Sequence, residues 1–225
     1  MSNPTIKLAS RTSALALFQT EAVIEALHAV GVSGTLVPVK TKGDKDQHTA
    51  LQHLGQTGIF TKAIDDAILE GTADVGIHSL KDYPTAIPKG LALLAVLPRD
   101  GYLDAFIPGT STMAPTTLLS GSPRRKAQWL RRHPEHAFQD LRGNMDTRLK
   151  KIRKSGGGIV SAPGLKRLGM LPEDAQVLDW MVPAPAAGVM AIIGRDDAQL
   201  KSIIAKINHE TTLRQATVER DFMAA

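Results

Sequence analysis

The residues of this sequence best suited to chemistry are an aspartate beside a lysine and arginines gathered at the starts of helices. His78-Ser79-Leu80-Lys81-Asp82-Tyr83-Pro84 leaves an apolar, strand-like run, Asp74 to His78. A lysine next to an aspartate at such a place can hold a carboxylate ligand and stabilise a developing cation. The plainer alternative has Asp82 capping the following turn and Lys81 solvated, and the two stand level on local sequence. His78 by itself is more often a core or hydrogen-bonded histidine than a catalyst. Ser10-Arg11-Thr12-Ser13 also follows a strand-like run and opens a helix. Its hydroxyls, amides and guanidinium could converge on an anion, although local sequence favours a plain N-cap at Thr12 or Ser13 with Arg11 in solvent.

Ser120-Gly121-Ser122-Pro123-Arg124-Arg125 sets two hydroxyls and two arginines at a helix start, with proline suited to the first helical position. Leu141-Arg142-Gly143-Asn144-Met145-Asp146-Thr147-Arg148 repeats the arrangement one helix later. Single arginines are usually solvated. Four at two helix N-termini favour an anionic ligand, because the guanidinium fork matches a carboxylate. No P-loop, dinucleotide fingerprint or metal-ligand spacing is present, so no metal is expected.

The elements that must position these groups alternate. Ile6–Ala9 reads as a strand, Ala14 to Ala29 as a helix with Leu17, Val23, Ile24 and Leu27 at helical spacing, and Thr35–Val39 as a strand. Asp44 to Gly58 has no period and reads as a mobile loop. Thr61 to Glu70 is a helix closed by Gly71, and strands follow at Asp74–His78 and Leu91–Leu97. After a hinge at Pro98-Arg99-Asp100-Gly101 come a strand at Ala105–Ile107 and helices at Pro123–Arg132 and Asp146–Ser155. The second of these is ended by the glycines before a strand at Ile159–Ser161. Pro183 to Pro185 makes a second hinge before the strand Gly188–Gly194 and helices at Asp197–Ile207 and Glu210–Met223. Strands alternating with helices predict an α/β fold with mostly parallel sheets. Two hinges predict two lobes, 1–98 with 188–225 and 99–187. No internal repeat is visible.

The bulk properties narrow the ligand. The 225 residues carry 27 Lys and Arg against 22 Asp and Glu, and only 4% are aromatic. A basic excess suits an anionic partner. So few aromatics argue against base-stacking platforms, so no nucleic-acid partner is expected. No apolar run reaches membrane-spanning length and no signal peptide opens the chain, so no membrane partner and a cytoplasmic location are expected. There is no cysteine, hence no disulfide and no thiolate ligand.

Taken together, the motifs resemble the porphobilinogen deaminase (hydroxymethylbilane synthase) family. The resemblance rests on Ala9 to Ala16, Gly58 to Lys62, Ala73 to Asp82, Asp104-Ala105-Phe106, Ser122 to Arg125, Leu141 to Asn144 with Thr147-Arg148, Gly164 to Gly169, and Asn208 to Thr211 with Glu219-Arg220. These blocks are colinear and cover nearly the whole chain.

The resemblance implies two lobes like those of type II periplasmic binding proteins, each a mixed, mostly parallel sheet flanked by helices, with the active site in the cleft. It implies a transferase of porphyrin, tetrapyrrole and heme biosynthesis. Porphobilinogen loses ammonia and joins a growing chain, and four such steps give hydroxymethylbilane. Asp82 matches the family aspartate that stabilises the cationic azafulvene. Arg11, Lys81, Arg124, Arg125, Arg142, Arg148 and Arg167 are similar to basic residues that hold the acetate and propionate side chains, with Ser13, Ser120 and Ser122 adding hydrogen bonds.

The family primes its reaction with a dipyrromethane bound through a cysteine on a third, C-terminal domain. Neither that loop nor that domain is in this chain, so covalent attachment is not expected, and a primer is either held noncovalently or absent. Other positions depart too. The loop's Gly-Gly-Lys-Gly is Gly55-Gln56-Thr57-Gly58, its second lysine falls at His53, Gly-Gln-Gly is Ala186-Ala187-Gly188, and an acidic strand residue is Ile193. Thr-Ser-Ser-Leu-Arg-Arg has become Ser120 to Arg125. A divergent, short member is expected, with self-association or a partner covering the surface of the missing domain. A noncatalytic protein binding a tetrapyrrole or other polycarboxylate in the same cleft is the alternative.

Overall fold

A computed structural model describes residues 4–41, 61–111 and 116–225. The expected loop at 44–58, with His53 and the Gly55 to Gly58 pattern, lies outside the described residues. Along the chain the elements are β1 (Thr5–Ser10), α1 (Ala14–Ala29), β2 (Ser33–Pro38), α2 (Lys62–Leu69), β3 (Val75–Ser79) and β4 (Leu91–Val96). They continue as β5 (Asp104–Pro108), β6 (Thr117–Leu119), α3 (Pro123–Arg132), β7 (Ala137–Gln139), α4 (Met145–Arg153), β8 (Gly157–Ser161) and α5 (Ala162–Arg167). The chain closes with β9 (Gln176–Leu178), β10 (Met190–Arg195), α6 (Ala198–Ile204) and α7 (Glu210–Ala224).

The described residues form two compact units, 4–41 with 61–100 and 188–225, and 101–111 with 116–187. Unit 1 holds a five-stranded sheet ordered β2-β1-β3-β10-β4, and unit 2 one ordered β7-β6-β8-β5-β9. In unit 1, β1 runs parallel to β2 and β3, while β10 opposes both β3 and β4. Four strands therefore share a direction and one is reversed. Unit 2 does the same, with β5 reversed between β8 and β9. Both sheets are mixed, as expected, with two parallel and two antiparallel pairings in each.

Alternation and helical period explain the cores. In β1, Ile6 and Leu8 face inward and meet Val23 and Leu27 of α1, with Val75 and Ile77 of β3 and Ile192 of β10 completing the cluster. In unit 2, Ala105 and Ile107 of β5 pack with Ile152 of α4, Val160 of β8 and Leu165 of α5. Met145 and Leu149 lie partly buried against that cluster, on the face that helical spacing assigns them.

Several elements differ from expectation. Three strands of three residues each, β6, β7 and β9, are too short to show a period. The glycine tract does more than end α4, because β8 starts inside it at Gly157. A Cβ on Gly158 would stand 2.8 Å from the Leu119 carbonyl oxygen, so glycine is what lets β8 lie against β6. The helix expected at Asp197–Ile207 is α6 followed by a 3-10 turn, Ala205–Ile207.

Candidate functional site

Parallel strands deliver their C-terminal ends, and the helix starts that follow, to one edge of each sheet. In unit 1 that edge receives Ser10 and Ser79, the last residues of the adjacent strands β1 and β3. Gln19 of α1 donates to Ser79 Oγ (2.9 Å), tying the helix to the end of β3. Ser13 is the N-cap of α1 and accepts from the Ala16 amide at 3.4 Å. Its hydroxyl thus does the capping work that the plainer sequence reading gave it.

Beyond β3, Leu80–Asp82 forms one 3-10 turn. Lys81 is half-buried and Asp82 is exposed, its carboxylate pairing with no cation among the described residues. Below the turn the side chains are buried. Tyr83 donates to Asp65 Oδ1 (3.0 Å), and His78 Nε2 lies 3.9 Å from the same oxygen. Burial pushes the Asp65 carboxyl up to about 6, against the Tyr83 hydrogen bond. Burial, then the nearby Arg11 charge, holds His78 down at about 3, so this histidine is neutral. A Cβ on Gly76 would come 2.4 Å from Ile64 Cγ2 and 2.9 Å from His78 Nε2, which makes room for that ring a requirement for glycine.

The segment holding Asp82 is also fixed from the far end of the chain. Arg220 of α7 is buried and donates to the carbonyls of Leu80 (3.4 Å), Tyr83 (3.1 Å), Pro84 (2.5 Å) and Thr85 (3.0 Å). A guanidinium can serve four acceptors at once because its five donors are splayed in one plane. Arg99 and Glu219, the residue before Arg220, form a bidentate pair across 120 positions (2.6 and 3.1 Å), which joins the exit of unit 1 to α7.

In unit 2 the corresponding edge carries two helix starts side by side. β6 and β7 are parallel neighbours, and each runs into a helix, α3 and α4. Ser120 is buried and its hydroxyl accepts from the Ser122 amide (3.3 Å). Ser122 is the N-cap of α3 and Asn144 that of α4. The two loops touch: a Cβ on Gly121 would sit 2.7 Å from the Leu141 carbonyl oxygen, so only glycine fits. The Ser122 hydroxyl accepts from the Arg125 amide and Asn144 Oδ1 from the Thr147 amide, so two capped helix starts stand at adjacent positions.

The arginines here are anchored. Arg125 Nη2 and Arg124 Nη2 take the two oxygens of Asp104, at 2.7 and 2.5 Å, and Arg124 also donates to the Val182 carbonyl. Burial would raise the Asp104 carboxyl, but the bonds and charges of Arg125 and Arg124 outweigh it and hold the group below the usual carboxylate range. Two guanidiniums against one carboxylate leave the cluster with one net positive charge. Arg142 is buried in the turn before α4, and Arg148 Nε donates to the Gly143 carbonyl (2.8 Å). Arg167 is half-buried at the last residue of α5, away from that helix's start.

The expected residues thus divide between the units. Arg11, Ser13, Lys81 and Asp82 gather at the strand ends of unit 1. Ser120, Ser122, Arg124, Arg125, Arg142 and Arg148 gather at those of unit 2, with Arg167 apart at a helix C-terminus. Sequence reasoning missed Asp104, Asp65 and Arg220 as parts of the site's support. A carboxylate opening the apolar strand Asp104–Pro108 was the one available signal.

Residues 6–202 match the family model described as porphobilinogen deaminase, dipyromethane cofactor binding domain. Among the relatives is the porphobilinogen deaminase of Moorella thermoacetica, 38% identical, with 98% of this chain and 74% of that protein covered. That of Campylobacter concisus is 36% identical, with 97% and 75% covered. The probable porphobilinogen deaminase of Methanocaldococcus jannaschii is 38% identical, with 96% and 76% covered. Solved structures share the fold alone. They include the methionine binding protein MetQ (TM-score 0.54, 10% identity, 96% of this chain and 95% of that one) and the periplasmic VFT2 domain of Bordetella pertussis BvgS (TM-score 0.54, 12% identity, 97% and 93%). The fold is α/β and two-lobed, of the type II periplasmic-binding-protein kind. With a family model matched across most of its length and relatives this similar from bacteria and an archaeon, the chain belongs to the porphobilinogen deaminase family.

Proposed function

We propose that this protein is a transferase that joins porphobilinogen units, with loss of ammonia, into hydroxymethylbilane for tetrapyrrole and heme biosynthesis. The observation that carries the reading is Asp82: an exposed carboxylate at the end of β3, in a chain matched to porphobilinogen deaminases over 96–98% of its length. Loss of ammonia from the aminomethyl group leaves a cationic azafulvene. Asp82 offers a negative charge to that cation and accepts hydrogen bonds from pyrrole N–H groups. Arg11 and Lys81 in unit 1, and Arg124, Arg125, Arg142, Arg148 and Arg167 in unit 2, hold the acetate and propionate groups. Ser13, Ser120 and Ser122 add hydrogen bonds.

None of the 225 residues is a cysteine, so none can form a thioether to a dipyrromethane. The donor set does fit noncovalent binding: paired helix starts and arginines suit the carboxylates of such a group. When bound, a dipyrromethane supplies the open pyrrole carbon from which the chain grows. No helix among the described residues is long and apolar enough to cross a membrane, and we place the activity in the cytoplasm. We also include in the proposal a further surface for a second copy or another partner, which native mass would reveal. Purified protein incubated with porphobilinogen should consume it and give uroporphyrin after acid oxidation. Consumption no greater than that of an Asp82→Ala variant overturns the reading.

A further inference from the structure

Away from the residues assigned above, the turn that leaves α3 gathers ligands of another kind. His133 caps the helix, Pro134 follows, and the His136 amide donates back to the His133 carbonyl (3.3 Å). The turn brings both imidazoles to one carboxylate: Glu135 Oε1 lies 3.6 Å from His133 Nδ1 and 3.1 Å from His136 Nδ1. One ligand atom from each residue falls within 4.8 Å of the other two. Ligands on a tetrahedral zinc ion with bonds near 2.1 Å stand about 3.4 Å apart. Small side-chain rotations reach that geometry, and all three side chains retain some exposure to solvent.

Two further features favour a cation. His136 Nδ1 is buried and makes no hydrogen bond of good geometry among the described residues, although a carboxylate oxygen is close. The carbonyl end of α3 adds negative potential, while Arg132, in the same last turn, has its guanidinium over the Trp180 ring at 4.8 Å. We propose that His133, Glu135 and His136 bind one divalent transition ion of the Zn²⁺ class, leaving a fourth position to water. Two imidazoles with one carboxylate select Zn²⁺, Ni²⁺ or Cu²⁺ over the harder Mg²⁺ and Ca²⁺. The ion ties together the four-residue turn, 133–136, that joins the end of α3 to the start of β7.

The site carries its own reporter. Trp129 lies 4.8 Å from the His133 ring and 5.9 Å from that of His136, and the second of the chain's two tryptophans, Trp180, is 5.9 Å from Trp129. Untagged full-length protein, stripped with a chelator, is titrated with Ni²⁺ while tryptophan fluorescence is followed, and with Zn²⁺ by calorimetry. The expected result is saturable quenching at one ion per chain, competed by Zn²⁺ and not by Mg²⁺. A His133→Ala/His136→Ala double variant should bind at least about tenfold more weakly, the loss that even an outer-shell partner's removal produces. Glu135→Gln, at an exposed position that leaves the fold intact, should weaken binding in the same direction and decides the matter if the double variant unfolds. Absence of saturation, or a Glu135→Gln variant that titrates like the parent, overturns the proposal.

Discussion

The two units share one sheet plan and use its edge differently. Each arranges four like-directed strands around one reversed strand, in the same relative order. In unit 1 the edge presents a carboxylate, Asp82, above a buried group of nearly neutral partners, Asp65, Tyr83 and His78. In unit 2 it presents two adjacent helix starts and arginines pinned by a buried carboxylate, Asp104. Topology decides where groups emerge, whereas the buried acid beneath each edge decides how charge is held. Burial holds the proton on Asp65 up to about pH 6, so below that pH it adds no charge beneath the edge. Asp104 stays ionised and fixes the direction of two cations.

Removing each acid tests that contrast. The largest effect is expected from Asp104→Ala, which strands two guanidiniums, one of them with only 11% of its side chain exposed. Breaking such a pair costs about 3–5 kcal/mol, and urea unfolding should show it; a loss below about 1 kcal/mol would mean that water replaces the carboxylate. Asp82→Ala should do the reverse. Its stability should stay within about 0.5 kcal/mol of the parent, as for other exposed positions. Its turnover of porphobilinogen should fall about 10²–10³-fold, the usual cost of removing one electrostatic stabiliser.

Asp65→Asn should stabilise the protein at high pH. In the folded state Asp65 keeps its proton to about pH 6, while an unfolded aspartate releases it near 3.8. Across that window the folded state binds more protons, so stability falls as pH rises through about 6. Asparagine retains an acceptor for Tyr83 without the charge. The variant should therefore match the parent at pH 4 and exceed it at pH 8 by about 1–3 kcal/mol. His78 contributes the opposite trend, losing stability as pH falls from 6.5 towards 3, but it does so equally in both proteins and cancels in the difference. The smallest effects are expected at the caps. Ser13→Ala and Ser122→Ala should each cost about 0.5–2 kcal/mol of stability, and a clearly greater loss of substrate affinity than of stability in one of them would show which edge binds anions.

Much of this was legible in the sequence because it is locally encoded. Val23 and Leu27 at helical spacing mark α1, Pro123 after a serine marks the start of α3, and Gly71, at φ +79°, marks the end of α2. The shared sheet plan was not legible. It is a matter of strand direction and connection, and the two units need no similar side chains to achieve it. β6 and β7 were invisible because three residues carry no period. The supports of the site were hidden for another reason. Asp65 and Tyr83 meet across 18 positions and Asp104 meets Arg125 across 21, while Arg220 reaches carbonyls more than 130 positions away. No local pattern announces a partner at such separations.

The reversed strand β10 has a consequence for how the protein is made. It lies between β3 and β4 and pairs with both, with Ile192 set beside Ile77 and Ala95. Until Met190–Arg195 has left the ribosome, those two strands face each other across a gap with unsatisfied edges. The described elements of unit 2 all lie between Asp104 and Leu178. The later-numbered unit is thus free to fold first, and the earlier one waits for its own final segment. Arg220, fastening the turn of Asp82 from α7, makes the C-terminal helix the last piece of that edge to arrive.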